Sequence, residues 1–379
     1  MPNIHLMSKR RAIVTVINDL YSDRRVEKTC HELTHAGFEV VLIGRKLPGS
    51  PSLPPRPWHC IRLSMVFRKG VPMYLELQLR LLLWMLGHKG HLFWANDLDT
   101  LLPSLIMAKI RNVPVIQDSH EYFTGVPELA KNPIKQKIWK MLEAFTYPRV
   151  DELITVNESI AELFRQQYKR RVHVIRNIPY KDKNAEPMSR KALGLPEDQP
   201  VLLLQGAGIN MDRGAEELIL AMAMVDNALL YIIGAGDVLP QLKKMAEKPE
   251  VKGRIVFLNR MPYDRLMQYT HHACLGFSLD KPRSINYKLS LPNKLFDYIQ
   301  AQTPVIVSDV YEVKKIVQHY GIGLVAETLH PTAIARMIND ALTDRHRYEK
   351  WQENLTFAAN ELNWENERLI VRELLSKYV

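Results

Sequence analysis

Cysteine is scarce in this chain. Cys30, Cys60 and Cys274 are an odd, widely spaced set without a C-x-x-C pair, which excludes a disulfide scaffold or a paired-thiolate zinc or redox centre and fits a reducing compartment. Long apolar runs are missing as well. The start, MPNIHLMSKRRAIVTVIND, places a basic stretch before a hydrophobic run of only about six residues, too short for a signal-peptide core or a membrane span. A cytosolic chain, or one held peripherally on the cytosolic face of a membrane, is therefore expected. The 17 glycines and 23 prolines follow no period, so collagen is excluded, and no repeat of about 20 to 50 residues marks a solenoid. Neither G-x-x-x-x-G-K-[ST] nor G-x-S-x-G occurs, which removes a P-loop and a hydrolase nucleophile elbow. Basic residues are scattered without interleaved aromatics, so no nucleic-acid partner is expected. The adjacent His271 and His272 would point apart on a helix, so they suggest no metal site.

What is present is length and an asymmetric charge. At about 150 residues per domain, 379 residues imply two domains. The net charge of +10 lies wholly in the first half: residues 1–180 carry 26 Lys and Arg against 16 Asp and Glu, while residues 181–379 carry 25 of each. A basic half suits an anionic partner such as lipid headgroups or a phosphorylated substrate. A purely solubilising charge is the alternative.

Short apolar runs alternate with amphipathic stretches. AIVTVI (12–17), a helical DRRVEKTCHELTHAG (23–37) and EVVLIG (39–44) form a β-α-β unit, with Gly37 where a helix end wants φ > 0. Strands at 91–96, 114–119, 152–157 and 172–177 follow, separated by helices over 100–111, 133–147 and 158–168. Residues 178–199, rich in Pro and charge, interrupt the rhythm. It resumes with strands at 201–206, 228–234, 254–258, 273–278, 304–309 and 322–326, and helices end the chain over 331–343 and 345–377. Strands buried on both faces mean parallel sheets. The expected fold is α/β: two doubly wound Rossmann-like domains facing across a cleft. The boundaries are a first Rossmann-like domain over 1–178, a linker over 179–199, a second Rossmann-like domain over 200–355 and a C-terminal helix over 356–379.

The first βα turn of the second domain reads QGAGINMDRGAEELI (205–219). Gly206 and Gly208 permit a tight turn, free amides at a helix start attract an anion, and Arg213 can grip a phosphate. Met211 stands where a dinucleotide fingerprint has its third glycine, so a plain turn with a solvent-facing Arg competes with this reading. In SLPNKLFDYIQAQTPVIVSD (290–309), Lys294 falls in a helix's first turn and Asp297 one turn deeper. The pair suits a phosphate and a ribose diol; a surface i, i+3 ion pair is the alternative.

Together with LYIIGAGDVLPQLKKMA (230–246) and VFLNRMPYDRLMQYTHHACLGFS (256–278), these segments resemble the donor half of GT-B retaining glycosyltransferases of family 4. INDLYSDRRV (17–26), WANDLDTLLP (94–103) and DSHEYFTGVPEL (118–129) are similar to a bacterial subgroup working on cell-surface glycans. The resemblance implies that the first domain takes the acceptor and the second the nucleotide-sugar donor, and that the C-terminal helix over 356–379 packs back on the first domain. It also implies that Arg213 and Lys294 hold a donor diphosphate, Asp297 the ribose, and Gly206 and Gly208 the phosphate loop. The family's first paired glutamate falls on Leu289, so backbone amides around Ser290 to Pro292 are expected to contact the sugar, and Ser290 and Asn293 are counted among the donor-binding residues. Gln302 replaces a usual glycine.

In the first domain His120, Asp97, Asp99 and Glu121 fall at the carboxyl ends of strands, where cleft residues belong. His120 and Asp97 are the catalytic candidates there beside Arg213 and Lys294, with Asp23, Arg24, Asp99 and Glu121 on the acceptor side. Helix capping by Asp23 and Asp99 is the competing reading. YLELQLRLLLWML (74–86) reads either as a core helix or as one lying at an anionic membrane surface. The function expected is transfer of a sugar from a nucleotide-diphosphate donor to a hydroxyl of a cell-surface glycan or lipid-linked precursor, without cofactor or required metal. A GT-B epimerase or hydrolase, and a non-enzymatic anion- or membrane-binding protein, are the alternatives.

Overall fold

The computed structural model describes residues 10–21, 23–181 and 187–379. Expectations on residues 1–9, and on 182–186 within the proposed linker, lie outside them. The chain divides into two compact units, one ending at Arg176 and completed by Arg368–Val379, the other spanning Asn177–Glu367.

Among the described residues the first unit has seven parallel strands: β1 (Arg11–Thr15), β2 (Glu39–Lys46), β3 (His59–Ser64), β4 (Leu92–Asn96), β5 (Val115–Ser119), β6 (Glu152–Thr155) and β7 (Val172–Val174). Their order is β3-β2-β1-β4-β5-β6-β7. Its helices are α1 (Arg24–His35), α2 (Gly70–Gly87), α3 (Leu101–Arg111), α4 (Pro127–Ala130), α5 (Pro133–Thr146) and α6 (Glu158–Tyr168). Central β1 pairs in parallel with both β2 and β4, Ile13 opposite Val41 and Phe93. β4 and β5 are buried along their whole length, the near-continuous apolar signature of a sheet covered on both faces. The strand that the pattern missed is β3: its half-buried edge residues follow a proline-rich stretch and carry no apolar run.

The second unit has β8 (Val201–Gly206), β9 (Leu229–Gly234), β10 (Ile255–Asn259), β11 (Leu275–Ser278), β12 (Val305–Ser308) and β13 (Gly323–Ala326), all parallel in the order β10-β9-β8-β11-β12-β13. Its helices are α7 (Arg190–Leu193), α8 (Ala215–Ala221), α9 (Leu239–Ala246), α10 (Tyr263–His271), α11 (Ile285–Lys288), α12 (Asn293–Gln300), α13 (Tyr311–Tyr320), α14 (Pro331–Thr343) and α15 (Arg345–Glu361). Leu203 belongs to one core cluster and its neighbours Leu202 and Leu204 to the other, so the strand alternation fills both faces of the sheet.

Two boundaries differ from expectation. Leu193 and Leu195 are buried in the second unit's core, so the described end of the 179–199 segment is part of that unit. The helix read over 345–377 breaks after α15, and α16 (Trp364–Leu375) begins beyond it. Gln300 Nε2 donates to the carbonyls of Ala359 (3.0 Å) and Leu362 (2.9 Å), and Asn363 Oδ1 accepts from the Asn366 amide at 3.1 Å. Ala358, Ala359 and Leu362 therefore pack in the second unit. From Arg368 the chain belongs to the first, where Arg372 Nε meets Glu32 at 2.6 Å.

Each strand order reverses direction once, between β1 and β4 and between β8 and β11. In such sheets ligands bind outside the strand ends at that reversal.

Candidate functional site

In the second unit, β8 ends at Gly206 and the loop to α8 carries Arg213. Its Nη1 donates to Asp280 Oδ1 at 2.9 Å, bridging the ends of β8 and β11. The guanidinium also lies 4.4 Å from the Tyr287 ring centroid, a cation–π contact that fixes its plane. Arg213 Nε has no hydrogen-bond partner among the described residues. Burial opposes its charge, but Asp280 outweighs that and raises its pKa. Lys294 opens α12, which has no side-chain cap. Burial pushes the Lys294 amine below its usual pKa, Asp280 opposes the shift and Arg213 adds to it. One buried carboxylate thus stands among two cations. Asp280 and Tyr287 were not singled out in the sequence, although FSLD placed the acid directly beyond a strand's carboxyl end.

Several expected residues land differently. Gly206 and Gly208 have ordinary space for a Cβ; the residue that requires glycine is Gly214, at φ +74°, where a Cβ would sit 2.4 Å from Leu279 Cβ and O. Asp297 is 4% exposed, and its carboxylate accepts from Tyr263 Oη (2.9 Å) and Gln205 Nε2 (3.4 Å). It thus joins α10, α12 and the end of β8. Lys294 makes no ion pair with it among the described residues. Ser290 donates its amide (3.3 Å) and hydroxyl (2.9 Å) to Tyr287 O, so it steadies the turn carrying Tyr287 instead of offering a free amide. Asn293 is exposed at the first position of α12.

In the first unit the reversal gathers Asp97, His120 and Asp118. Asp97 follows β4 with φ 58° and ψ 168°, a region that strains any residue but glycine. Its amide donates to Asp118 O (2.9 Å) and its Oδ1 accepts from the His120 amide (2.9 Å), which hold the strained conformation. The His120 ring donates Nε2 to Asn96 Oδ1 at 3.2 Å. It also lies 3.4 Å from Asp97 Oδ2 and 3.7 Å from Asp118 Oδ2. Burial works against its charge, but Asp97 and Asp118 prevail and push it up to about 9. At neutral pH His120 is an imidazolium, a donor and not a base. Burial raises Asp97, with His120 opposing.

Asp99 caps no helix: α3 starts after Thr100 without a side-chain cap. Its buried Oδ1 has no hydrogen-bond partner among the described residues, and burial together with Asp97 pushes it well up. Asp23 does cap α1, accepting from the Val26 amide at 3.2 Å. Arg24 opens that helix half-buried, and Glu121, also half-buried, accepts from Ser119 Oγ through its carbonyl at 2.9 Å. H-E-L-T-H over 31–35 has the spacing of a zinc-binding helix. Here Glu32 is paired with Arg372, the His31 ring meets Trp58 edge-on at 4.8 Å, and among the described residues no three His, Cys, Asp or Glu are grouped to hold an ion.

Residues 22–178 match the family model described as Glycosyltransferase Family 4, and residues 186–356 match the one described as Glycosyl transferases group 1. The chain belongs to glycosyltransferase family 4. The two matches take in the His120 and Arg213 clusters respectively. Among curated relatives, an uncharacterized glycosyltransferase of Methanocaldococcus jannaschii is 28% identical over 160 residues, 41% of this chain and 39% of the relative. The probable glycosyltransferase WbjE of Pseudomonas aeruginosa is 23% identical over 222 residues, 56% of this chain and 54% of the relative. The matches thus span about half or less of those relatives' length. Among solved structures, sucrose-phosphate synthase from Thermosynechococcus elongatus gives a TM-score of 0.80 at 18% identity, covering 97% of this chain and 99% of that one. HepE of Anabaena, in complex with UDP-glucose, gives 0.73 at 14%, covering 97% and 99%. The fold is GT-B.

Proposed function

We propose that this family member moves a sugar from a nucleoside-diphosphate donor to a hydroxyl of a cell-surface glycan or lipid-linked precursor, with retention at the anomeric carbon. The observation that carries the reading is the gathering of Arg213 and Lys294 around buried Asp280 at the strand reversal of the second unit. HepE is seen with UDP-glucose, and WaaG, 15% identical with a TM-score of 0.73, is described as a glycosyltransferase of lipopolysaccharide biosynthesis; both support the donor and acceptor classes.

In the proposed step the acceptor oxygen bonds to the anomeric carbon on the face from which the diphosphate departs. The broken carbon–oxygen bond leaves its electron pair on the phosphate, which takes the acceptor proton. The two cations meet the charge that develops on the leaving group, a task that fixed donors perform well in a low-dielectric site. The first unit is assigned the acceptor. Its His120, protonated at neutral pH, donates hydrogen bonds to hydroxyl groups, and the leaving phosphate acts as the base. No metal ion is needed in this scheme, so activity that collapses in EDTA would overturn that part.

Purified protein is heated with UDP, GDP or ADP and their sugars, and the melting temperature is followed. At least one nucleotide should raise it; no shift with any of them sinks the donor assignment. Turnover of a nucleotide sugar without acceptor would favour a hydrolase or epimerase instead.

A further inference from the structure

The helix α5 is turned inside out relative to an ordinary surface helix. It buries Glu143 and Thr146 completely, while Ile134 is 75% and Ile138 60% exposed. Met141 and Phe145 are exposed too, and the spacing i, i+4, i+7, i+11 places all four on one stripe. The inward face is tied down. The Tyr168 hydroxyl donates to Glu143 Oε1, and Thr146 Oγ1 donates to the Leu142 carbonyl at 2.8 Å. The Thr146 bond lies within α5, but rotating the stripe inward would break the buried bond between Tyr168 and Glu143. Lys135, Lys137 and Lys140 are exposed around the stripe, preceded by exposed Lys131, and the helix's one acid is inside.

Helix α2 adds a second apolar face. It buries Met73, Leu77, Leu81 and Met85 and leaves Leu75, Leu79, Leu83 and Leu86 exposed. Ahead of it, the amides of exposed Val66 and Phe67 donate to the Glu76 carboxylate at 2.8 to 3.0 Å, so that loop is fastened to α2. The two helices are neighbours: Tyr74 and Trp139 meet edge to face at 5.1 Å, and both helices pack on α3. Single exposed apolar residues are ordinary on a protein surface. Two complete helix stripes on adjoining elements mark an interaction surface.

We propose that this face of the first unit docks on an anionic lipid bilayer, with the α5 stripe among the upper acyl chains and its lysines at phosphate level. Apolar stripes bordered by lysine are what an interfacial helix presents to lipid. Among the described residues no helix is long and apolar enough to cross a membrane, so the contact is peripheral. A second copy of this chain is a poorer occupant, because a two-fold contact through α5 would set its lysines against their own kind. The proposal rests on this surface alone and is independent of the transfer chemistry.

The full chain is sedimented with vesicles of phosphatidylcholine alone and of equimolar phosphatidylcholine and phosphatidylglycerol. Binding should be about tenfold or more stronger to the anionic vesicles and fall as salt rises. Two variants, Ile138→Asp with Phe145→Asp and Lys135→Glu with Lys137→Glu and Lys140→Glu, should each lose about tenfold or more. Their melting temperatures and nucleotide-induced shifts should match wild type, which separates this proposal from the donor assignment. Wild-type protein that ignores anionic vesicles, or variants that bind as wild type does, overturn it. A dimer in solution that Ile138→Asp dissolves would assign the face to a second copy instead.

Discussion

Arg25 and Asp118 form a closed pair inside the first unit: Nε lies 3.1 Å from both carboxylate oxygens and Nη2 2.5 Å from Oδ1. The remaining guanidinium nitrogen, Nη1, donates to the Ile175 carbonyl at 2.7 Å. The pair therefore joins α1, the end of β5 and the segment after β7, and fixes the carboxylate that faces His120. At the start of α1, Asp23 and Arg24, expected on the acceptor side, come directly before Arg25. Its burial makes it a positioning residue for Asp118.

Replacing Arg25 by Met should cost about 3–5 kcal/mol, because it leaves Asp118 buried and unpaired. Urea denaturation at neutral pH measures this. Burial would raise the Asp118 pKa, but Arg25 and then His120 outweigh it and hold the carboxyl well below its ordinary range. A carboxyl with a depressed folded pKa contributes stability above the unfolded value of about 4 and loses it as pH falls further. The Arg25→Met penalty should therefore shrink in acid. A penalty unchanged between neutral and acid pH would show that the pair is not its source.

His120 has the opposite sign. Its folded pKa of about 9 lies above the ordinary 6.5, so the imidazolium contributes stability that is full below about 6.5 and is lost as pH rises through about 9. Wild-type protein should lose more stability across that window than His120→Gln does, as read from thermal melts at stepped pH. Parallel curves for the two proteins would refute the bound proton.

Gly214 and Gly208 make a paired test of the loop after β8. Gly214→Ala places a Cβ against Leu279 at 2.4 Å in a left-handed conformation and should cost about 2–4 kcal/mol. Gly208→Ala finds its nearest neighbour at 3.5 Å and should stay within about 1 kcal/mol. Differential scanning calorimetry of both variants decides whether the motif's glycines or the one after Arg213 shape the loop.

The contrast shows what pattern reading reaches. Alternation of apolar runs with helices located twelve of the thirteen strands among the described residues, because buried parallel strands leave continuous apolar stretches. β3 escaped because an edge strand is only half buried. At the candidate sites, the pattern located Asp97 and His120 beyond strand ends, Arg213 in a βα turn and Lys294 in a helix's first turn, and the chain folds with them at those places. The buried partners Asp280 and Asp118 were not singled out, because sequence spacing cannot tell a carboxylate facing solvent from one satisfied inside. The break after α15 was equally hidden, since it is made by Gln300 from another helix.

Lys294 offers the sharpest separation of function from stability. Its amine is half-buried beside α12 with no hydrogen-bond or ion-pair partner among the described residues, and burial lowers its pKa, so in the unliganded protein its charge is a cost. Lys294→Met should unfold at a temperature equal to or above wild type, while nucleoside-diphosphate affinity falls roughly tenfold to hundredfold for the loss of one charged hydrogen bond. Arg213→Met should behave differently, losing both affinity and stability, because it strands buried Asp280. Calorimetric titration with UDP and GDP alongside thermal melts reads both quantities. Lys294→Met that binds nucleotide as wild type does would remove this residue from the donor site and leave Arg213 to hold the diphosphate alone.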